Sequence, residues 1–175
     1  MHNLKKPIAL IGLSGSGKTT IGQLLAKRLS FKFIDTDQII SKKLNCSIDN
    51  IFTKYGEEFF RKQESTTLQD LILNKDNYIL STGGGIITTP KNLALLLEHF
   101  IVIHVICDIN LIAKRLETDD SRPLTKGNCL EKLNFLFTQR QNLYNKAHIS
   151  IDTSSNDIDK IIKDSINKLN KFNET

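Results

Sequence analysis

Residues 12–19 read Gly-Leu-Ser-Gly-Ser-Gly-Lys-Thr and are followed by Thr20, which matches the phosphate-binding P-loop pattern G-x-x-x-x-G-K-[ST]. Because glycine has no Cβ, such a loop turns tightly and its N–H groups approach an anion closely. We expect Lys18 to neutralise terminal phosphates and the Thr19 hydroxyl to bind Mg²⁺. The alternative is a glycine-rich turn without a ligand. The nucleotide-binding candidates here are Gly12, Ser14, Gly15, Ser16, Gly17, Lys18, Thr19 and Thr20.

The flanking sequence has the context that this pattern requires. Residues 7–11 form a short apolar run typical of a buried strand, and apolar residues then recur at helical spacing over 17–29. The N-terminus of that helix also favours negative charge. The order of strand, glycine turn and helix therefore indicates a phosphate site rather than a simple turn.

Apolar runs alternate with helical patterns along the whole chain, which predicts an α/β fold with a parallel sheet and helices on both faces. Ligands of such sheets bind beyond the carboxyl ends of the strands, so residues that follow strands are the best site candidates. The predicted strands are 7–11, 31–34, 78–82, 100–106 and 148–152. The predicted helices are 17–29, 37–44, 57–74, 90–98, 109–118, 131–146 and 155–170.

Length and composition fit one globular domain over residues 1–175, with 39% hydrophobic and 25% charged residues. The net charge is +5, but acidic residues are interspersed with the basic ones, so we do not expect nucleic-acid binding. No apolar run approaches the roughly 20 residues that span a bilayer, and we expect no signal peptide. We therefore expect a cytoplasmic protein without a membrane partner. Because no apolar stripe is left over, we expect a monomer.

Two carboxylates, Asp35 and Asp37, follow the second predicted strand. One can reach the water shell of a metal ion while the other accepts hydrogen bonds from substrate hydroxyls. The alternative is that Asp37 only caps the next helix.

Arg61 and Glu64 lie three residues apart on a helical pattern, close to Phe52 and Phe60. A surface ion pair is the default interpretation. An arginine held by a carboxylate beside aromatic rings would instead be oriented to bind a carboxylate through two hydrogen bonds.

Further candidates follow the later strands. Three consecutive glycines at 83–85 favour a backbone that approaches a ligand closely. Asp108 fits a helix N-cap better than a metal ligand. The polar stretch 117–130 carries Arg122 and is either a mobile lid over the phosphates or a surface loop. Arg140, taken alone, is typical of an arginine on the solvent-exposed face of a helix.

Together these motifs resemble the shikimate kinase family, a small P-loop family related to the nucleoside monophosphate kinases. The resemblance covers nearly the whole chain. It rests on the motifs at 12–19, 35–37, 51–64, 83–85, 122–123 and 140–144. It implies ATP-dependent phosphorylation of the 3-hydroxyl of shikimate in aromatic amino-acid biosynthesis. It also implies a five-stranded parallel sheet of order 2-3-1-4-5, a substrate-binding segment at about 37–64 and a lid at about 117–130.

The resemblance assigns a role to each candidate. Lys18 serves the phosphates, Thr19 binds Mg²⁺ and Asp35 reaches it through water. Asp37 holds the ring hydroxyls, and the carboxylate of shikimate is bound by Arg61 and Arg140, with Glu64 orienting Arg61. Gly83, Gly84 and Gly85 offer backbone contacts to the substrate, and Phe52 and Phe60 pack beside its ring. On the nucleotide side, Arg122 of the lid contacts the phosphates and Arg115 stacks on the adenine.

Two other functions stay open at this point. One is a kinase of the same fold for another small hydroxylated acid, such as gluconate. The other is a P-loop module that binds nucleotide without turnover, although the presence of Asp37 and Arg122 argues against it.

Overall fold

A computed structural model describes residues 4–74, 76–117, 129–155 and 157–174. Its core is a five-stranded parallel sheet of order β2-β3-β1-β4-β5, as the resemblance implies. The strands are β1 (Ile8–Ile11), β2 (Lys32–Asp35), β3 (Tyr78–Ser81), β4 (Ile101–Ile106) and β5 (Ile149–Asp152). Each lies within one residue of its predicted bounds.

Helices cover both faces of the sheet, which confirms the predicted three-layer α/β class. They are α1 (Lys18–Leu29), α2 (Thr36–Leu44), α3 (Ile48–Ile72), α4 (Pro90–His99), α5 (Ile109–Glu117), α6 (Cys129–Tyr144) and α7 (Ile158–Asn173). A short 3₁₀ helix, Ile86–Thr88, was not predicted.

The central strand β1 sets the register of the sheet. Ile8 pairs with Ile79 of β3 on one side and with Ile101 of β4 on the other. Its side chains alternate between two apolar clusters, one filled by α1 and α7 and the other by α3, α4 and α6. All four residues of β1 are buried. Because β1 is parallel to both β3 and β4, the carboxyl ends of these three strands lie at the same edge of the sheet.

Helix α3 differs most from its prediction, because it begins at Ile48 rather than at residue 57. Ser47 caps it by accepting a hydrogen bond from the N–H of Asn50 at 3.3 Å. Gly56, with φ 81° and ψ 170°, interrupts the helix. The prediction captured only the part beyond this break, since the glycine separates the two halves of the periodic pattern.

Helix α7 also extends past its predicted end and continues to Asn173. The rings of Phe172 and His148 lie 5.3 Å apart, so packing against the residue before β5 holds the last turn in place. In the described parts of the chain, no helix combines the length and the apolar character needed to cross a bilayer.

Candidate active site

The loop at residues 12–17 joins β1 to α1 and needs glycine at specific points. Gly12 has φ 148°, and a Cβ there would lie 2.6 Å from the carbonyl oxygen of Val105 on β4. Gly17, with φ 94°, is the N-cap of α1. The loop therefore runs close against the sheet and leads straight into a helix N-terminus, which is the geometry of an anion site.

Lys18, the first residue of α1, is buried and its ammonium group lies across the loop. Nζ donates to the carbonyl oxygens of Gly12 at 3.0 Å and Leu13 at 2.8 Å. Burial, together with the nearby charge of Lys18, lowers the pKa of His104 to about 4. The imidazole beneath the loop is therefore neutral at physiological pH.

Thr153, just beyond β5, fastens the loop to the sheet. Its hydroxyl lies 2.8 Å from the carbonyl oxygen of Ser16 and 2.9 Å from that of Ile106, and its single proton is shared between them. This contact joins segments 137 positions apart in the sequence.

Asp35 uses both carboxylate oxygens. Oδ1 accepts from the N–H groups of Asp37 at 3.0 Å and Gln38 at 3.3 Å, and Oδ2 accepts from the Thr19 hydroxyl at 3.1 Å. Asp35 is thus the N-cap of α2, so the alternative that Asp37 is the cap is wrong. The Thr19 hydroxyl also lies 3.4 Å from the Ser81 hydroxyl at the end of β3.

Two cavities open at this edge of the sheet. The first, which we call the P-loop cavity, has a volume of about 540 Å³. It is lined by Ser14, Gly15, Gly17, Lys18, Thr19, Thr20, Ile21, Asp35, Asp37, Gln38, Ser81, Thr82, Gly84, Arg115, Leu116, Thr153, Ser155, Ile158 and Ile161. Arg115 borders the loop, with Nη1 3.3 Å from the carbonyl oxygen of Gly15.

The second cavity, which we call the arginine cavity, has a volume of about 570 Å³. It is lined by Leu13, Ser14, Asp37, Ser41, Ser47, Ile48, Asp49, Phe52, Phe60, Arg61, Gly83, Gly84, Gly85, Leu133, Leu136 and Arg140. Both cavities are bordered by Ser14, Asp37 and Gly84, so they meet at these three residues.

Arg61 and Glu64 form an ion pair at the base of the arginine cavity, and it is not a surface pair. Only 20% of the Arg61 side chain and none of the Glu64 side chain is exposed. Burial raises the pKa of Glu64 to about 7, although the Arg61 charge acts in the opposite direction. The default interpretation as a solvated pair is therefore wrong.

The glycines at 83–85 make room for side chains of the site itself. A Cβ on Gly83 would clash with Oε1 of Glu64 and lie 2.8 Å from Oδ1 of Asp37, and one on Gly85 would clash with the Arg61 guanidinium. At Gly84 it would lie 3.0 Å from the N–H nitrogen of Ser14. Each glycine thus allows a different group to pack on the backbone.

Arg140 is half-buried and points into the arginine cavity, contrary to the prediction made for it in isolation. Its Nη1 donates to the carbonyl oxygen of Gly84 at 3.1 Å. Burial raises the pKa of Tyr144, while the nearby Arg140 charge opposes this. The Tyr144 ring stacks on His104 with centroids 4.4 Å apart and planes 7° apart. Tyr144 therefore lies close to both Arg140 and the imidazole of His104.

Comparison with known proteins shows the family of this chain. A family model described as shikimate kinase matches residues 14–170. A shikimate kinase from Nitrosomonas europaea is 41% identical over 95% of this chain and 80% of its own length. One from Bacillus cereus is 39% identical over 95% of this chain and 99% of its own length. The chain belongs to the shikimate kinase family.

A solved structure supports the same family assignment at the level of the fold. Shikimate kinase from Acinetobacter baumannii, in complex with shikimate, superposes with a TM-score of 0.89 at 34% identity. The match covers 95% of this chain and 93% of that one.

The structure brings the described candidates together around the two cavities. Arg122, and with it residues 118–128 of the predicted lid, lies outside the described residues. Of the other predicted residues, Gly12, Ser16 and Glu64 do not line a cavity: the first two belong to the loop itself, and Glu64 is buried behind Arg61. Asp108 is a helix N-cap, as expected, accepting at Oδ1 from the N–H groups of Asn110 and Leu111.

Sequence reasoning missed several residues that position the shikimate kinase site. The Thr36 hydroxyl accepts from the N–H of Gly83 at 3.0 Å, and Thr82 bonds to the carbonyl oxygen of Leu10 through both its N–H and its hydroxyl. Thr153 and Tyr144 complete the set. Threonine in the first positions after a strand is the one signal that could have found three of these four.

We predict that Glu64 makes stability depend on pH. Because its pKa is raised from 4.5 to about 7, its contribution to the free energy of unfolding is full below pH 4.5 and is lost as the pH rises through 7. Glu64→Gln removes this titration. The stability of the wild type relative to Glu64→Gln should therefore fall by about 3 kcal/mol or less between pH 4.5 and 8.

Urea unfolding of both proteins at several pH values measures this difference. The comparison with the variant is needed because the lowered pKa of His104 gives an opposite contribution, lost as the pH falls from 6.5 towards 4. A constant difference between the two proteins across this range would contradict the prediction.

Proposed function

We propose that this protein transfers the γ-phosphoryl group of ATP to the 3-hydroxyl of shikimate, giving shikimate 3-phosphate and ADP in aromatic amino-acid biosynthesis. One observation carries the proposal: the P-loop cavity and the arginine cavity meet at Ser14, Asp37 and Gly84. A phosphate in the first cavity therefore faces a hydroxyl in the second. Membership of the shikimate kinase family identifies the acceptor.

The arginine cavity suits an anionic, hydroxylated ring. Arg61 and Arg140 supply two guanidinium groups for its carboxylate, while Asp37 at the junction accepts hydrogen bonds from its hydroxyls. The rings of Phe52 and Phe60, with centroids 4.7 Å apart, offer an apolar wall for the carbon skeleton. We assign acceptor binding to Asp37, Arg61, Gly83, Gly84, Gly85 and Arg140.

The P-loop cavity suits the donor. Backbone N–H groups of the loop and the N-terminus of α1 favour the phosphates, and Lys18 supplies a positive charge. Arg115, exposed beside Gly15, is placed to stack on the adenine. We assign donor binding to Gly12, Ser14, Gly15, Ser16, Gly17, Lys18, Thr19, Thr20, Arg115 and Arg122.

The residues near Thr19 fit Mg²⁺. The Thr19 hydroxyl and the Asp35 carboxylate are hard oxygen donors, and they already lie 3.1 Å apart. Mg²⁺ commonly keeps several waters and binds through one or two protein groups, so it needs no larger cluster. Among the described residues no group of three His, Cys, Asp or Glu side chains forms a metal site. When bound, Mg²⁺ neutralises charge on the phosphates.

Catalysis in this site is positioning combined with charge stabilisation. Arg61 and Arg140 fix the ring by its carboxylate, so that the hydroxyl beside Asp37 points at the loop. Asp37 accepts the hydrogen bond of that hydroxyl and is the group placed to take its proton. Lys18 stabilises the negative charge on the transferring group. Arg122 adds a second positive charge when the lid closes.

The proposal also covers the organisation of the chain. Residues 1–175 form one domain, with an acceptor-binding segment at about 37–64 and a lid at about 117–130, and the protein acts in the cytoplasm. Both cavities open at the same edge of one five-stranded sheet, which supports a single domain.

A coupled assay of ADP release tests the activity. With ATP and Mg²⁺, we expect turnover with shikimate and none with gluconate, and at least about a hundredfold lower kcat for Lys18→Ala because transition-state charge is no longer stabilised. Turnover with gluconate alone would overturn the assignment. Nucleotide binding without turnover of either acid would identify a binding module.

Arg140→Ala should raise KM for shikimate by about 10- to 100-fold, because a charged hydrogen bond to the carboxylate is lost. KM for ATP should change little, since Arg140 lines only the arginine cavity. Arg115→Ala is the matched control, because it should affect KM for ATP instead. Equal changes in both KM values for Arg140→Ala would contradict the role assigned to it.

We also propose that the protein is a monomer. The exposed large apolar side chains of the described residues lie on different elements, such as Leu73 after α3, Phe135 on α6 and Phe172 on α7. Light scattering should give the mass of one chain, 19.8 kDa. A stable mass of twice that value would contradict this proposal.

A further inference from the structure

Arg61 is held by two carboxylates of very different exposure. Glu64, already described, is fully buried, whereas 66% of the Glu57 side chain is exposed. Oε1 of Glu57 accepts from Nε of Arg61 at 3.2 Å and from Nη2 at 2.9 Å. Glu64 accepts from Nη1. Glu57 therefore occupies one whole side of the guanidinium group.

That side is one of the edges through which arginine binds a carboxylate. The N–H groups of Nε and Nη2 point in parallel and form a fork that matches the two oxygens of a carboxylate. Glu57 fills this fork with a single oxygen atom. The backbone of Gly85 packs against the same guanidinium group, so it leaves no room for a side chain there. A carboxylate that approaches this edge of Arg61 therefore encounters a fork that already has an occupant.

We propose that Glu57 competes with the carboxylate of the acceptor for the Nε–Nη2 edge of Arg61, so that binding exchanges one carboxylate for another. This inference rests on the proposed function, which makes the acceptor a carboxylic acid bound by Arg61. Glu57 acts through Arg61 and is a residue that tunes acceptor affinity rather than a catalytic one.

The difference in burial determines which carboxylate leaves. An exposed ion pair contributes little, equivalent to at most about a fivefold change in a binding constant, so displacing Glu57 costs little. Removing Glu64 would leave a largely buried guanidinium without its buried partner. Glu57 also directly follows the break at Gly56, where the backbone leaves helical geometry. The exchange therefore replaces Glu57 and keeps Glu64 in place.

Calorimetric titration of the full-length protein with shikimate tests the proposal. For Glu57→Gln and Glu57→Ala we expect Kd for shikimate to fall by about two- to fivefold, because the competitor is weakened or removed. Kd for ATP should stay unchanged. Glu58→Gln is the matched control, since it removes the same charge from the exposed neighbouring position, which has no ion pair with Arg61.

A second titration uses the methyl ester of shikimate, which lacks the anionic carboxylate. The gain in affinity from Glu57→Gln should be absent with the ester. A rise in Kd for shikimate would overturn the proposal and make Glu57 an orienting partner of Arg61. Equal gains in the Glu57 and Glu58 variants, or with the ester, would overturn it as a general charge effect.

The titrations distinguish failure of the proposed exchange from failure of the proposed function. If the wild type binds shikimate and the Glu57 variants bind it no more tightly, only the exchange is wrong. If neither the wild type nor any variant binds shikimate, the proposed function and the exchange are both overturned.

Discussion

The parallel pairing of β1 with β3 and β4 is the constraint on which both cavities depend. Leu10 of β1 accepts from the N–H of Thr82 at 3.2 Å and from its hydroxyl at 2.8 Å, so β1 and β3 end together. The phosphate loop then leaves one strand directly beside the glycines that leave the other. A shift in this register would separate the P-loop cavity from the arginine cavity.

Close packing of charged side chains against backbone is the second theme of the site. The buried Glu64 and the partly buried Arg61 lie on glycine backbone, where nothing bulkier fits. Such a pair is costly to desolvate, and the energy gained from the pair alone seldom exceeds this cost. Its value here is orientation, because a guanidinium fixed by a buried carboxylate presents a defined edge to a ligand. The exposed Glu57 contacts the Nε–Nη2 edge of the same guanidinium group, where we propose that the exchange takes place.

Much of the fold could be predicted from the sequence, because its signals are local. The pattern at 12–19 and the apolar run of β4 each identify an element without any knowledge of its neighbours. The first half of α3 was missed because Gly56 separates it from the stronger periodic pattern that follows. The alternative that Asp37 caps α2 was wrong for a similar reason, since Asp35 and Asp37 both suit a cap and only the backbone geometry distinguishes them.

The site was harder to predict wherever its geometry depends on distant parts of the chain. The burial of Glu64 follows from its contact with Gly83, and the orientation of Arg140 from its bond to Gly84, which lies 56 positions away. Family resemblance supplied these residues where local spacing could not.

The glycines at 83–85 have a consequence for inhibitor design. An inhibitor that hydrogen-bonds to this backbone stretch would be hard to escape by mutation. A side chain at Gly83 or Gly85 would displace Glu64 or Arg61, and one at Gly84 would press on the phosphate loop. A substitution at these positions that prevents inhibitor binding would therefore also disturb the site of the enzyme. Resistance would have to arise at other positions.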